Sequence, residues 1–468
     1  MPKNDCPHLP KPLQLPITYH QVSADAVAWG VDIRLGSPVQ RFSLFPSLHD
    51  FTFVANSLDC GSPDPSSLCL ASVGGTYDKN LSLTGFETAS TPWKNRWNGS
   101  IDFGDASQYA LQNDVLAFGS DDKAITGYPF ATDTATQIAT AYGTWLGLGA
   151  NSTFLKALVA GGVAPSMSWG LSAGSRQSEP PTDGLLVIGG YDDTRVGGDF
   201  STFDSRHDCP TCIRLQELTW VPETGTPVPL WHKSLLNLDI SIDPLWESLL
   251  LPSPVFQAFG NSTGGKYNET YQLFTYAASA VPKGNMKFTI KNGHSSSIPA
   301  STLFGFPHQY EENGTVGIYD DSFKLAQVQQ FKSFDPSISA QAIFGIPFLL
   351  SNYLIMDIER SQFRLSEAVR DDQHATGGSV VKTLCPQTFD SSTPHRNNIG
   401  AVVGSVVGGL GGVLFIVSVL FLWYFRSKGG AHRATRRDEP HARQLYRPVA
   451  VAHDSRVRLV LDLKPAKS

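Results

Sequence analysis

An all-β body tethered by one membrane-spanning helix is the architecture this sequence predicts. Three observations carry it. Short apolar runs recur between residues 26 and 370 with Gly, Pro, Asn or Asp between them, and Gly (42) and Pro (31) are abundant. Helical periodicity over the same stretch is scarce. Residues 399–425, IGAVVGSVVGGLGGVLFIVSVLFLWYF, carry no charge and are long enough to cross roughly 30 Å of hydrocarbon as a helix.

Charge follows that division. Residues 426–468 hold 11 Lys/Arg and 4 Asp/Glu, a net +7, and the remainder holds 25 and 38, a net −13. An acidic body with a basic tail argues against nucleic acid as a partner. Trp423 and Tyr424 end the apolar run, where amphipathic rings prefer the interface. Arg426, Lys428, Arg433, Arg436 and Arg437 follow and mark the cytoplasmic side. A buried core helix would be shorter, and a cleaved lipid-anchor signal would not be followed by a basic tail. Gly400, Gly404, Gly408 and Gly412 repeat every fourth residue, a spacing that lets two helices pack closely in the membrane. The body is then extracellular or lumenal, on the plasma membrane or another secretory-pathway membrane. Six Asn-x-Ser/Thr sequons, Asn80, Asn98, Asn151, Asn261, Asn268 and Asn313, all precede the span and agree with that side. The opening MPKNDCPHLPKPLQLP has no apolar run of signal type, so export implies a signal segment missing from this start.

Along the body, residues 1–25 read as a Pro-rich leader. The stretch Trp29–Val54 reads as a hairpin: Val31, Ile33 and Leu35 alternate with Asp32 and Arg34, Gly36-Ser37-Pro38 turns, and Phe42, Leu44, Phe51 and Phe53 return. Val115–Phe118 and Leu235–Ile242 read as further strands. Ser152–Val163 has Phe154, Leu155, Leu158 and Val159 on one side and reads as a short helix, as does Ser253–Phe259.

The hairpin with Gly-Ser-Pro and Gln40 resembles the opening of the pepsin-like aspartic proteases. Further landmarks fall in that family's order. Thr144-Trp145-Leu146-Gly147-Leu148-Gly149 precedes a helix, and Gly184–Asp192 resembles a strand ending in Gly-Gly-x-Asp. Asp243–Pro252 resembles the second active-site segment. Phe344–Phe348, Tyr353–Arg360 and Phe363–Ser366 resemble the closing strands. The resemblance covers about residues 26–370. It implies two β-barrel-like lobes, 26–200 and 201–370, with a cleft between them, then a polar stalk (371–398), the span (399–425) and the tail (426–468). Membrane-tethered members of fungi share the stalk, the Gly-rich span and the basic tail, so the resemblance also implies a fungal cell surface.

The family's chemistry needs two carboxylates about 3 Å apart, each in an Asp-Thr/Ser-Gly triplet, sharing one proton so that one activates water and the other protonates the substrate. Here the second position keeps Asp243 but continues Pro244-Leu245: no hydroxyl, no amide N–H, and a bulky side chain where Gly belongs. The first position holds no acid. Counting forward from Gln40 by the family's spacing reaches Ser47, and counting back from Val54 reaches Pro46. Asp50 fits neither count. His49, Asp50 and Asp243 are the residues from which a replacement constellation could be built. The family's flap Tyr falls at Asp102 or Phe103 by spacing, and neither carries a phenol beside the cleft.

The family's small disulfide loop after the first strands implies Cys60–Cys69. Cys209-Pro-Thr-Cys212 has redox-motif spacing, but a thioredoxin-type βαβ setting is missing, so a structural cross-link is the better reading. The pairing of Cys6, Cys209, Cys212 and Cys385 stays open, with an end-to-end Cys6–Cys385 bond among the choices. No closed metal site and no cofactor is expected. The sequence thus points to a pepsin-like ectodomain lacking peptidase activity, with a surface binding or sensing role in which its cleft takes a peptide or glycan. The alternatives are an active aspartic-type endopeptidase pairing Asp243 with an unrecognised acid, and a cell-wall or adhesion spacer.

Overall fold

The computed structural model describes residue 6 and residues 8–61, 65–88, 109–118, 124–134, 143–231, 238–291, 293–331, 341–369 and 379–386. The hairpin read from alternation is its seed. Ala26–Leu35 pairs antiparallel with Gln40–Ser47, setting Val31 against Leu44 and Ile33 against Phe42. Val31, Ile33, Leu35, Phe42 and Leu44 are fully buried, while Asp32 and Arg34 share the other face in an ion pair of 2.7 Å. A period of two in the sequence becomes one wet and one dry face.

Gln40–Ser47 lies parallel to Trp145–Gly147, which neighbours Phe53–Asn56, then Ala124–Asp133, then Tyr109–Ala117. Tyr109–Ala117 returns to the first strand through Arg34↔Ala117 and Leu35↔Leu116, closing a barrel-like ring. A second, eight-stranded sheet runs in the order Ser295–Pro299, Gly284–Ile290, Ile213–Pro222, Asp239–Ile242, Ala342–Phe344, Leu249–Leu251 and Val328–Gln330, with Val228–Trp231 on Ile213–Pro222. The first sheet also extends away from the ring. From Ala26–Leu35 it passes through Leu13–Ser23, Gly184–Ile188, Trp169–Ser172, Asn352–Asp357, Gln362–Glu367 and Ser201–Asp204. Strands from both halves of the chain therefore share one sheet.

Both predicted helices form. Thr153–Ala160 starts where Ser152 accepts the Leu155 amide, and it buries Phe154, Leu155, Ala157 and Leu158. Ser253–Thr263 runs four residues beyond the predicted end, to a left-handed Gly264.

Two predicted boundaries are corrected. Residues 13–23 are not part of a leader: Leu13–Ile17 pair with Gly184–Ile188, and Ile17–Ser23 pair with Ala26–Val31. Leu15 and Ile17 are buried on alternate positions, a pattern masked in the sequence by the surrounding prolines. The segment called a stalk contributes Val381–Thr383, paired with Gly190–Asp192, and Leu384 is buried. Three disulfides form: Cys60–Cys69 as the resemblance implied, Cys209–Cys212 and Cys6–Cys385. The last ties the ends of the body together. The span, the repeated glycines and the tail lie outside the described residues. Among the described residues no helix is long and apolar enough to cross a membrane.

A fragment trimmed to residues 21–370 loses most of strand 13–23, strand 381–383 and the Cys6–Cys385 bond. It is expected to melt without a cooperative transition, whereas residues 1–386 melt sharply; differential scanning calorimetry of the two distinguishes these outcomes.

Candidate functional site

Each half of the chain builds one loop at the end of a strand that runs parallel to an inner strand. In the first half the register is Phe45↔Trp145, Pro46↔Leu146 and Ser47↔Gly147. In the second it is Ile240↔Ala342, Ser241↔Ile343 and Ile242↔Phe344. The Asp243 amide then donates to Phe344 O at 3.2 Å, which sets Asp243 beside Gly345. Both glycines pass inside their loops. A Cβ on Gly147 would collide with the carbonyls of His49 and Phe51, and one on Gly345 with those of Trp246 and Ser248. Ser47 and Asp243 thus hold the same place in two like loops, and Pro46 sits one step earlier.

Ser47 is fully buried. Its Oγ is hydrogen-bonded to His49 Nδ1 at 2.6 Å and accepts the His49 amide at 3.3 Å. The His49 ring stacks on Trp145 with centroids 4.5 Å apart, and Trp145 Nε1 donates to Phe51 O at 2.9 Å. This is a Ser–His contact made by a two-residue turn. A buried Oγ of this kind is shielded from a substrate carbonyl, and a hydroxyl does not supply the carboxylate of an acid pair.

Across the loops, Asp243 is half-buried and its Oδ1 accepts the Leu245 amide at 3.0 Å. Pro244 is buried. Leu245 packs against the first half's cluster of Phe51, Phe53 and Trp145. A bulky aliphatic side chain thus sits where the two loops meet. Asp50, weighed from the sequence as a displaced acid, faces elsewhere: its Oδ1 accepts the Asn151 amide at 2.9 Å and its carbonyl accepts the Thr153 amide at 2.9 Å. Burial pushes its carboxyl up, against the Asn151 bonds that favour the charge. It anchors the turn before helix Thr153–Ala160 and takes no part in the proposed constellation with His49 and Asp243. Asp102 and Phe103 lie outside the described residues.

Sequence reading missed a charged pair beside the loops. Arg176, whose side chain is 10% exposed, meets Glu247 at 2.8 Å. It also donates to the Tyr310 hydroxyl at 2.7 Å, while Gln177 Nε2 donates to Glu247 at 3.2 Å. The guanidinium lies over Phe45 and Tyr310, 5.1 and 5.4 Å from the ring centroids. Burial works against its charge, but Glu247 and Tyr310 outweigh it and raise the Arg176 pKa. Arg176, Gln177, Glu247 and Phe45, with Pro46 and Pro244, line one pocket beside the loops. The partners stand 71 positions apart, so no local pattern announces them.

A second acidic contact sits at the rim of the aromatic cluster. Asp59 accepts the Asn56 amide at 2.8 Å and is hydrogen-bonded to Asp133, which is fully buried. Burial, then the Asp133 charge and that bond, push the Asp59 carboxyl up to about 7.

No family model matches the sequence, and no curated protein matches it. Among solved structures, the crystal structure of aspartic proteinase from Irpex lacteus matches with a TM-score of 0.50 and 15% identity, over 78% of this chain and 100% of that one. The chain has the pepsin-like aspartic proteinase fold.

Two outcomes follow. The Asp59 carboxyl is protonated in the fold and ionised in the unfolded chain between its ordinary value of 3.8 and about 7. Stability therefore falls as pH rises through that window and levels off above it. Thermal melts from acid to neutral pH should show this slope, and Asp59→Asn should flatten it. Arg176→Met leaves the part-exposed Glu247 without its cation and should cost about 1 kcal/mol in urea unfolding, with Glu247→Gln in the same chain recovering part of the loss.

Proposed function

We propose that this chain is the pepsin-like ectodomain of a single-pass membrane protein that no longer hydrolyses peptides and instead binds a peptide or glycan in its cleft. It would act at a fungal cell surface or on a secretory-pathway membrane. The observation that carries the reading is Ser47 at the register position that matches Asp243. Pro244 after Asp243, and Leu245 packed on Phe51 and Trp145, support it further. Members of a catalytic unit lose activity together when one is removed, so a retained Asp243 does not by itself keep the reaction.

The uncharged run 399–425 is read as the membrane helix, with Gly400, Gly404, Gly408 and Gly412 as a packing face for a second copy. Of the sequons, Asn98 lies outside the described residues. Asn80, Asn261 and Asn313 are exposed and Asn268 is half-buried. These four are proposed to carry glycans. Asn151 uses its side chain and its amide on Asp50, so glycopeptide mass spectrometry of protein from a eukaryotic host should find it bare.

The activity test uses the full chain in detergent with an unfolded protein substrate between about pH 3 and pH 6. The expected result is no cleavage above the buffer rate, unchanged by Asp243→Asn. Cleavage that Asp243→Asn abolishes would establish the peptidase instead. An inert protein that also retains nothing from peptide and glycan arrays would point to a spacer.

A further inference from the structure

The Cys209-Pro-Thr-Cys212 loop has no part in the cleft chemistry, yet it is bonded to the strand that carries Asp243. The disulfide closes a turn in which the Cys212 amide donates to Cys209 O at 3.1 Å. Thr211, enclosed in that turn, is fully buried. Its Oγ1 donates to Ile242 O at 2.8 Å and accepts the Ile242 amide at 3.1 Å, and it also lies 3.3 Å from Ser241 Oγ. One hydroxyl therefore satisfies both backbone groups of the residue before Asp243. At the other end of the same strand, Arg206 and Arg214, which flank the loop in sequence, each reach Asp239 at 3.1 Å. The segment Arg206–Arg214 thus grips strand Asp239–Ile242 at both ends.

We propose that Cys209–Cys212 is a thiol–disulfide exchange site whose opening releases this grip and loosens the Asp243 loop. The reductant is a small thiol or a dithiol protein. Its thiolate attacks Sγ of Cys212, which is half-buried, while Cys209 is 3% exposed. A mixed disulfide forms and Cys209 leaves as a thiolate that takes a proton. A second thiol then attacks the external sulfur. The products are two protein thiols and one external disulfide, with the two electrons supplied by the two thiols. The surface position admits the reagent: the side chains of Arg206 and Asp208 are 41% and 49% exposed. Three residues of separation keep the freed thiols close, so re-closure needs no refolding. Once the cross-link is gone, the turn is left to backbone bonds such as Cys212 N–H to Cys209 O and Cys209 N–H to Arg206 O, and the hold on Thr211 against Ile242 weakens. The inference concerns the position of the loop and holds whether or not the cleft hydrolyses peptides.

The test uses the purified full chain in detergent, treated with dithiothreitol, then alkylated and mapped by peptide mass spectrometry, with amide hydrogen exchange measured in parallel. Cys209 and Cys212 are expected to take the label while Leu13–Ser23 and Asn352–Asp357 keep their protection. Exchange across Asp239–Asp243 should rise about tenfold, the size of one lost hydrogen bond, and return after oxidised glutathione is added. Cys209→Ser with Cys212→Ser should reproduce the rise without reductant. Thr211→Val should reproduce it with the disulfide intact. The proposal is overturned if Cys209 and Cys212 label only when the whole body loses protection. It is equally overturned if they label, or are replaced, with no change at Asp239–Asp243, or if Thr211→Val leaves that exchange unaltered.

Discussion

The close passage of Gly147 and Gly345 inside their loops is the constraint on which the site depends. Each glycine lies where a single methyl would strike two carbonyl oxygens, so each strand can enter its loop only at that residue. Once it has entered, the parallel register fixes which residue stands beside it: Ser47 in one half, Asp243 in the other. The backbone decides the two positions, and the side chains there are free to change without disturbing the fold. That separation lets a chain keep a pepsin-like fold while the residue beside Gly147 is a buried serine.

The surrounding structure holds the two loops firmly. Ser47 is bonded to His49, which is stacked on Trp145, which is bonded to Phe51. Leu245 from the second half closes on the same aromatic cluster. Beside them, Arg176 reaches from just beyond the shared sheet to Glu247 in the second loop. A desolvated guanidinium with a carboxylate and a phenol around it costs about 1 kcal/mol to disturb. The Leu245 packing and the Arg176–Glu247 ion pair thus both join the two halves of the chain at these loops.

Much of this was legible in the sequence, and the failures have physical causes. The alternation Val31, Ile33, Leu35 announced the first hairpin because one face had to be dry. The spacing of Phe154, Leu155 and Leu158 announced the helix that Ser152 caps. Strand Leu13–Ser23 was missed because the surrounding prolines suggested an unpaired segment, although Leu15 and Ile17 face the core. Strand Val381–Thr383 is short and polar, and its identity comes from pairing with Gly190–Asp192 far upstream. Counting could not choose between Pro46 and Ser47, since the loop length was ambiguous; the register puts Ser47 opposite Gly147 and Pro46 opposite Leu146. Arg176–Glu247 and Asp59–Asp133 join residues distant in the chain, so neither leaves a local signal.

The central claim is that the cleft lacks the paired acids that grip a tetrahedral transition state. Titration calorimetry of the full chain with a statine-type inhibitor, whose hydroxyl sits between two carboxyls sharing a proton, measures that directly. The account predicts no binding heat at acidic pH, in the native chain and in Asp243→Asn alike. Tight binding by the native chain that disappears in Asp243→Asn would contradict it.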